Sequence, residues 1–345
     1  MANTYYVSAA TGNDSDTGLT EALAWLTVDK AMNTVAAGDK VWVKADGNYA
    51  ELATIDTVGT ATAPIVFEGY TTAPGDGGRA TITGSSSRAN CVADGLAAGT
   101  DIFYAFKNLR FTAATGVGFL TDCNQITFKN CKFDTNGSSG LQCRLVGCEG
   151  CEFSSNTNGV EDTVGSKVFI GCRFYSNTYG IVSSNAGFAT VLIGCTFFSN
   201  SAVNIYVGGA NSLHVIANCT VDGDAKDSNS GLELDNNTGF LTVLNTVLYD
   251  CVTGYSSPGN MGERVISRNN CVNGNTTAYT NATTFTGEVI SAPAFVDEVA
   301  GADYHPDTGS PLRDAGFDGG ASMDIGAVQS VAGAASNVFK LRIGV

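Results

Sequence analysis

The sequence predicts an all-β chain wound into a solenoid of about ten short parallel coils. Three observations predict it. A short motif returns every 20 to 27 residues, an apolar ladder is locked to it at a fixed offset, and a Gly-apolar pair follows most copies.

The motif is fullest at Asn130-Cys131-Lys132-Phe133-Asp134-Thr135-Asn136. It returns at Cys151/Phe153/Asn156, Cys172/Phe174/Asn177, Cys195/Phe197/Asn200 and, weaker, Cys219/Val221/Asp224. Leu109/Phe111 precedes these, while Thr246/Leu248/Cys251 and Asn270/Val272/Asn275 follow. Successive spacings at the Phe position are 22, 20, 21, 23, 24, 27 and 24. Three residues before each Cys position stand Phe106, Phe128, Cys148, Phe169, Leu192, Ile216 and Val243, all apolar. The Gly-apolar pairs are Gly140-Leu141, Gly159-Val160, Gly180-Ile181, Gly231-Leu232 and Gly254-Tyr255. Beyond them the pattern alternates as a strand does, as in Leu232-Glu233-Leu234-Asp235.

Identical positions in such coils stack at roughly 4.8 Å, giving a rod on the order of 50 Å long. Phe and Cys are then core positions, and Asn at a bend bonds its amide to the Asn above and below. Two poorer coils begin at Val41-Trp42-Val43 and Ile65-Val66-Phe67. Exposed sheet ends need covering. Val28, Ala31, Met32 and Val35 mark a one-faced helix over Thr27 to Val35, with Thr27 as N-cap. The expected divisions are a cap and first coil over 1–50, coils over 51–284, an irregular C-terminal cap over 285–330 and a tail over 331–345.

Composition narrows the function. The net charge of −15 and pI near 4.4 repel nucleic-acid phosphate and anionic lipid. No run approaches 18 apolar residues, so no membrane insertion is expected. The opening MANTYYVSAATGND lacks the basic and apolar regions of a secretory signal. The chain is therefore expected to be made in the cytoplasm, with its 11 cysteines reduced.

Residues 4–50 open YYVSAATGND and continue through a helix to GDKVWV, and Gly309 to Gln329 reads GSPLRDAG…DIGAVQ. Together with the coils, these resemble right-handed parallel β-helix proteins of the pectate-lyase-like and tailspike-like superfamily over nearly the whole chain. The resemblance implies a right-handed, single-stranded helix. It implies little about activity, because the fold carries lyases, hydrolases, epimerases, tailspikes and inert rods. Such lyases use a Ca²⁺-binding Asp cluster with an Arg or Lys base, and the hydrolases use paired aspartates with a His. Here His214 falls in a strand and His305 in the terminal cap, so no catalytic residue carries over.

The densest acidic cluster is Asp222, Asp224, Asp227, Glu233 and Asp235. Glu233 and Asp235, two apart on a strand, both point outward about 7 Å apart, a separation that suits an inverting glycosidase pair. Asp222, Asp224 and Asp227 are weak Ca²⁺ candidates, and the alternative is a solvated acidic loop. Gln142, Glu161 and Tyr206 fall outward on equivalent strands and form a candidate glycan face, or isolated surface residues. Glu161 stands three coils from Glu233, roughly 14 Å, too far to pair with it. No Arg or Lys occupies the outward positions beside Glu233, which weighs against β-elimination. Cys148 and Cys151 form a CxxC pair at core positions and are expected to be structural.

In the tail, Phe339, Leu341 and Ile343 alternate with Lys340 and Arg342, a strand able to dock on a partner or fold back on the last coil. These features suggest a non-catalytic phage virion or attachment rod, with or without glycan binding, with other virion or surface proteins as partners. The alternative is a polysaccharide lyase or glycoside hydrolase, with Ca²⁺ as the only cofactor to consider.

Overall fold

The computed structural model describes residues 2–162, 164–223, 230–235, 239–257, 265–280, 293, 295–297, 303–306 and 310–312. Their strands form three parallel sheets of 11, 10 and 10 strands, called here I, II and III, and one antiparallel pair, Phe295–Asp297 with Asp303–Pro306. A representative coil runs Asn124–Lys129 in sheet I, Lys132–Asp134 in sheet II and Ser139–Cys143 in sheet III, then re-enters sheet I at Val146–Glu149. The chain is a parallel β-helix, as its repeat predicts, and a right-handed one, as the resemblance implies.

The repeat becomes register. Phe111, Phe133, Phe153, Phe174 and Phe197 are paired one to the next across sheet II, followed by Val221, Leu248 and Val272. The five rings form a stack with centroids 4.6 to 5.1 Å apart, nearly parallel from Phe133 onward. The second ladder runs in the same way along sheet I, from Phe106 through Phe128 and Cys148 to Val243. All 11 cysteines are free and buried. Burial pushes the Cys143 thiol up to about 12 and Cys91 to about 11, which removes thiolate character. Cys148 and Cys151 lie on either side of a corner at Gly150, each in a core ladder.

Two corners are tight. Sheet I passes to sheet II through one left-handed residue, Asn130 (φ 52°), Asn218 (φ 52°) and Asn245 (φ 49°) in some coils, Gly150, Gly171 and Gly194 (each φ 61°) in others. Asn and Gly tolerate that conformation best. At the passage from sheet II to sheet III, Thr135, Ser155, Ser176 and Ser199 are left-handed with φ of 52 to 58°, an uncommon state for a β-branched Thr. The next residue compensates. The Asn136 backbone N–H and Nδ2 both donate to Asn156 Oδ1 at 3.0 Å, and the arrangement repeats from Asn156 to Asn177 and from Asn177 to Asn200. The third corner, from sheet III to sheet I, is the variable one. Two residues separate Cys143 from Val146, whereas five separate Ser183 from Ala189.

The glycine of the Gly-apolar pairs keeps clear of the next strand's carbonyl and, in some coils, of the ladder. A Cβ on Gly159 would stand 2.5 Å from the Gly180 carbonyl oxygen, and one on Gly140 would stand 3.0 Å from Asn156 Nδ2. Asn204 occupies the equivalent place one coil beyond Gly180, and its Oδ1 accepts from Asn200 Nδ2 at 2.8 Å.

At the N-terminus the helix is a single turn, Val28–Met32, shorter than the periodicity suggests. Thr27 Oγ1 accepts from Lys30 N at 3.1 Å, and the Glu51 carboxylate accepts from Val28 N and Asp29 N. The acids of the opening motif are structural. Asp14 accepts from the amides of Leu26 and Thr27, and Asp39 from those of Asn3 and Ala36. In the C-terminal region Leu312 is buried against Phe198, Val247 and Cys271 on the outer side of sheet II. At this residue the segment therefore lies on the flank of the rod, where an end cover was expected. Asp224, Asp227, Phe339, Leu341 and Ile343 lie outside the described residues. Among the described residues no helix is long and apolar enough to cross a membrane.

Phe174→Ala removes one ring from the middle of the stack and should cost about 3–5 kcal/mol in denaturant unfolding. An unchanged midpoint would mean the ring is not in the core. The 11 thiols should also resist a soluble thiol reagent in the native state and react fully in denaturant.

Candidate functional site

The outer face of sheet III carries the sequence-predicted residues in one row. Inter-coil pairing places Leu120, Gln142, Glu161, Val182, Tyr206, Glu233 and Ser256 in consecutive coils at the same position. They point outward because Leu141, Val160, Ile181, Ile205 and Leu232, one residue earlier, are buried in the core. Gln142 thus neighbours Glu161, and Tyr206 neighbours Glu233, with Val182 between the two pairs. Glu161 is held in place, since its Oε2 accepts from Ser139 Oγ at 2.6 Å and from Asn158 Nδ2 at 3.2 Å. The Tyr206 hydroxyl is raised above its ordinary 10 by burial first, then by the charges of Asp235 and Glu233. Tyr206 therefore remains a neutral hydrogen-bonding phenol beside two carboxylates.

Asp235 does not share this open setting. It follows the strand Ser230–Leu234, and its carboxylate lies over Gly208 of the preceding coil, where it accepts from Gly209 N at 3.2 Å. Asp222 is separated from the pair altogether. It sits on the outer side of sheet II between Phe198 and Tyr249. The expected five-acid cluster is thus split by a corner, because sheet II and sheet III face different directions even where their residues are close in sequence. No group of three or more His, Cys, Asp or Glu suited to a metal ion occurs among the described residues. Arg144 lies in the two-residue turn beside Gly165, away from Glu233.

A shallow, open groove of about 480 Å³ runs along the corner from sheet II to sheet III. Two ranks of hydroxyls line it, Ser155, Ser176 and Ser199 in one and Thr157, Thr178 and Ser201 in the other, with the asparagine ladder as its floor. Asn158, which holds Glu161, directly follows Thr157 and joins groove to row. The surface so formed is long, uncharged at the groove and acidic at Glu161 and Glu233, with hydroxyl and amide groups repeating once per coil.

Sequence reasoning missed a polar pocket inside the rod. Lys167 points inward from sheet I with no exposure and pairs with Asp162, which is equally sealed. Lys167 Nζ also donates to the Gly165 carbonyl at 2.9 Å. In the next coils Ser183 Oγ approaches Asp162 Oδ2 (3.1 Å) and Thr190 Oγ1 (2.7 Å). One coil further, the buried His214 contacts the Gly208 carbonyl through Nε2 at 3.0 Å, and its Nδ1 has no hydrogen-bond partner. Lys167, Thr190 and His214 occupy one inward row of sheet I. The signal was available, since all three interrupt a row that is apolar at Val146 and Leu241. Being closed to solvent, the pocket serves the fold and not substrate chemistry.

No protein-family model matches the chain, and no curated protein matches it by sequence. Solved structures do match. The crystal structure of pectate lyase Pel9A superposes with a TM-score of 0.75 at 20% identity, covering 95% of this chain and 96% of that one. The likeness is one of fold. A rhamnogalacturonan lyase superposes at 0.54 and 16% identity over 84% of this chain and 87% of its own. The alginate lyase from Paenibacillus sp. str. FPU-7 does so at 0.53 and 12% over 76% of this chain and 96% of its own. The chain thus shares the parallel β-helix architecture of polysaccharide lyases along its length.

Burial holds His214 below its ordinary 6.5. The unfolded chain binds this proton more readily, so stability contributed by the neutral ring is present above pH 6.5 and is lost as pH falls below it. Melting temperature should drop more between pH 7.5 and 5 in the parent than in His214→Gln. Equal drops would exclude His214 as the cause. Breaking the buried pair with Lys167→Met alone should cost about 3–5 kcal/mol, and the double change with Asp162→Leu less than the single one.

Proposed function

We propose that the chain acts on an extended polysaccharide lying along the outer row of sheet III, as a glycoside hydrolase with Glu233 as proton donor. The single observation behind this reading is the pairing of Tyr206 with Glu233 on an open strand face. Glu233 would give its proton to the glycosidic oxygen as that bond breaks. Asp235, steadied by the Gly209 amide, would take a proton from the water that forms the new bond at the sugar carbon. Tyr206, Gln142 and the hydroxyl groove would orient the chain by hydrogen bonds, one sugar-sized step per coil. An acidic surface favours a neutral glycan over a polyuronate.

Elimination is the second reading, and the extent of the likeness to a pectate lyase favours it. It needs a cation to neutralise the uronate carboxylate, and the outer row from Leu120 to Ser256 has no Arg or Lys. The virion or attachment rod expected from the sequence has less in its favour than either enzymatic reading, because the structural neighbours named above are lyases.

Purified protein should release reducing ends from a neutral polysaccharide in a panel that also holds polyuronates, with and without Ca²⁺. Glu233→Gln should lower that rate by about 10²-fold or more with the melting point unchanged. Unsaturated products would replace hydrolysis by elimination, and silence on every substrate would return the chain to a non-catalytic rod.

A further inference from the structure

The outer face of sheet I changes character along the rod. Near the N-terminal end it is charged, with Lys107, Lys129 and Glu149 stacked in register. From Val168 onward it is mainly apolar, with Thr242 and, in the last coil, the exposed Arg268 as exceptions. Val168, Val191, Val215 and Ile266 share one column, interrupted only by Thr242. Leu213 and Phe240 begin the adjacent one. Leu213, Phe240 and Ile266 are 52%, 60% and 58% exposed. The strands here are largely apolar on their outer side, as a covered sheet face is, even though their inner row carries Lys167, Thr190 and His214. A contiguous apolar patch of this kind marks a contact surface.

We propose that the chain's own C-terminal segment, Val338 to Ile343, covers this face. Size argues for a strand-length occupant. Five coils at about 4.8 Å, with outward residues spanning about 13 Å along each strand, make a face on the order of 300 Å². A stable dimer buries about 800 Å² on each partner, so a second copy is poorly matched. A six-residue strand is about 20 Å long, close to the patch's length along the rod. Phe339, Leu341 and Ile343 alternate as one apolar side, and Lys340 and Arg342 on the other side suit a chain of net charge −15.

Reach and position agree. Leu312 is seated on the outer side of sheet II against Phe198, Val247 and Cys271. Those coils are the ones that carry the apolar face, since Ile193 leads to Thr196 and Leu244 to Val247 through one corner. The 26 residues between Leu312 and Phe339 extend to roughly 90 Å at most, ample to turn that corner.

The test uses the full chain with Phe240→Cys and Leu341→Cys, the native thiols being buried. Mild oxidation followed by non-reducing electrophoresis and peptide mapping should give a bond between positions 240 and 341 within one chain. The same bond formed only between chains would overturn the proposal in favour of a second copy, and no bond would overturn it outright. A chain ending at Ala332 supplies an independent readout. It should bind an apolar fluorescent dye several-fold more strongly than the full chain, and a synthetic peptide of residues 336–345 should reverse the increase. Equal dye binding by the two chains would also defeat the proposal. Neither readout depends on catalysis, so failure here and failure of the glycan reading are distinguishable.

Discussion

The rod depends on hydrogen bonds made by buried asparagines at one corner. Turning from sheet II to sheet III within a few residues requires a left-handed residue, and in four coils that residue is Ser or Thr. Such backbone costs of order 1–3 kcal/mol where nothing over-determines it. Asn136, Asn156 and Asn177 over-determine it, because each gives both its backbone N–H and its amide N–H to the next side chain. The ladder satisfies groups that would otherwise be buried without partners. It also fixes the vertical register to one coil, and the phenylalanine stack follows from that register. Glycine in the adjoining strand avoids the next strand's carbonyl and, at Gly140, the Asn156 amide as well, and Asn204 breaks the glycine row by becoming a rung itself.

This logic explains which parts of the structure were legible in the sequence. Where stacking is strict, periodicity becomes adjacency, so the Phe, Cys and Asn positions and even the degenerate Thr246/Leu248/Cys251 copy could be assigned from spacing alone. The outward row from Gln142 to Glu233 was legible for the same reason. The acidic cluster was not, because Asp222 and Glu233 are separated by a corner, and a corner changes the direction a side chain faces without leaving a mark in composition. The Lys167–Asp162 pair went unread for a different reason. An inward lysine looks like an outward one until the inward rows of sheet I are aligned, when Lys167, Thr190 and His214 fall in succession.

The interior polar row shows what the variable corner permits. Tight corners hold apolar residues and asparagines at fixed positions. The longer turns from sheet III to sheet I leave room for polar groups to meet inside, as Asp162, Lys167 and Ser183 do. Removing one partner of such a buried pair is costlier than replacing both, so the pair constrains the local sequence without adding to the open surface. In the coils that carry the ladder, this corner is the one that varies most in length, because it is not bound by the ladder.

The three outer faces differ in what they can offer a ligand. Sheet II is occupied, since Leu312 covers its apolar part and its charged part is tied up in ion pairs such as Arg110 with Asp134 and Arg79 with Glu152. Sheet I is apolar over the same coils and favours a greasy strand over a hydrated sugar. Among the described residues, sheet III combines half-buried carboxylates, an amide and a phenol in one row with hydroxyls lining the corner beside it. On the reading proposed above, a linear polymer with hydroxyls at regular intervals would match in repeat and polarity a surface that itself repeats once per coil. The stacking that stabilises the rod and the spacing that would read such a polymer are then the same physical property.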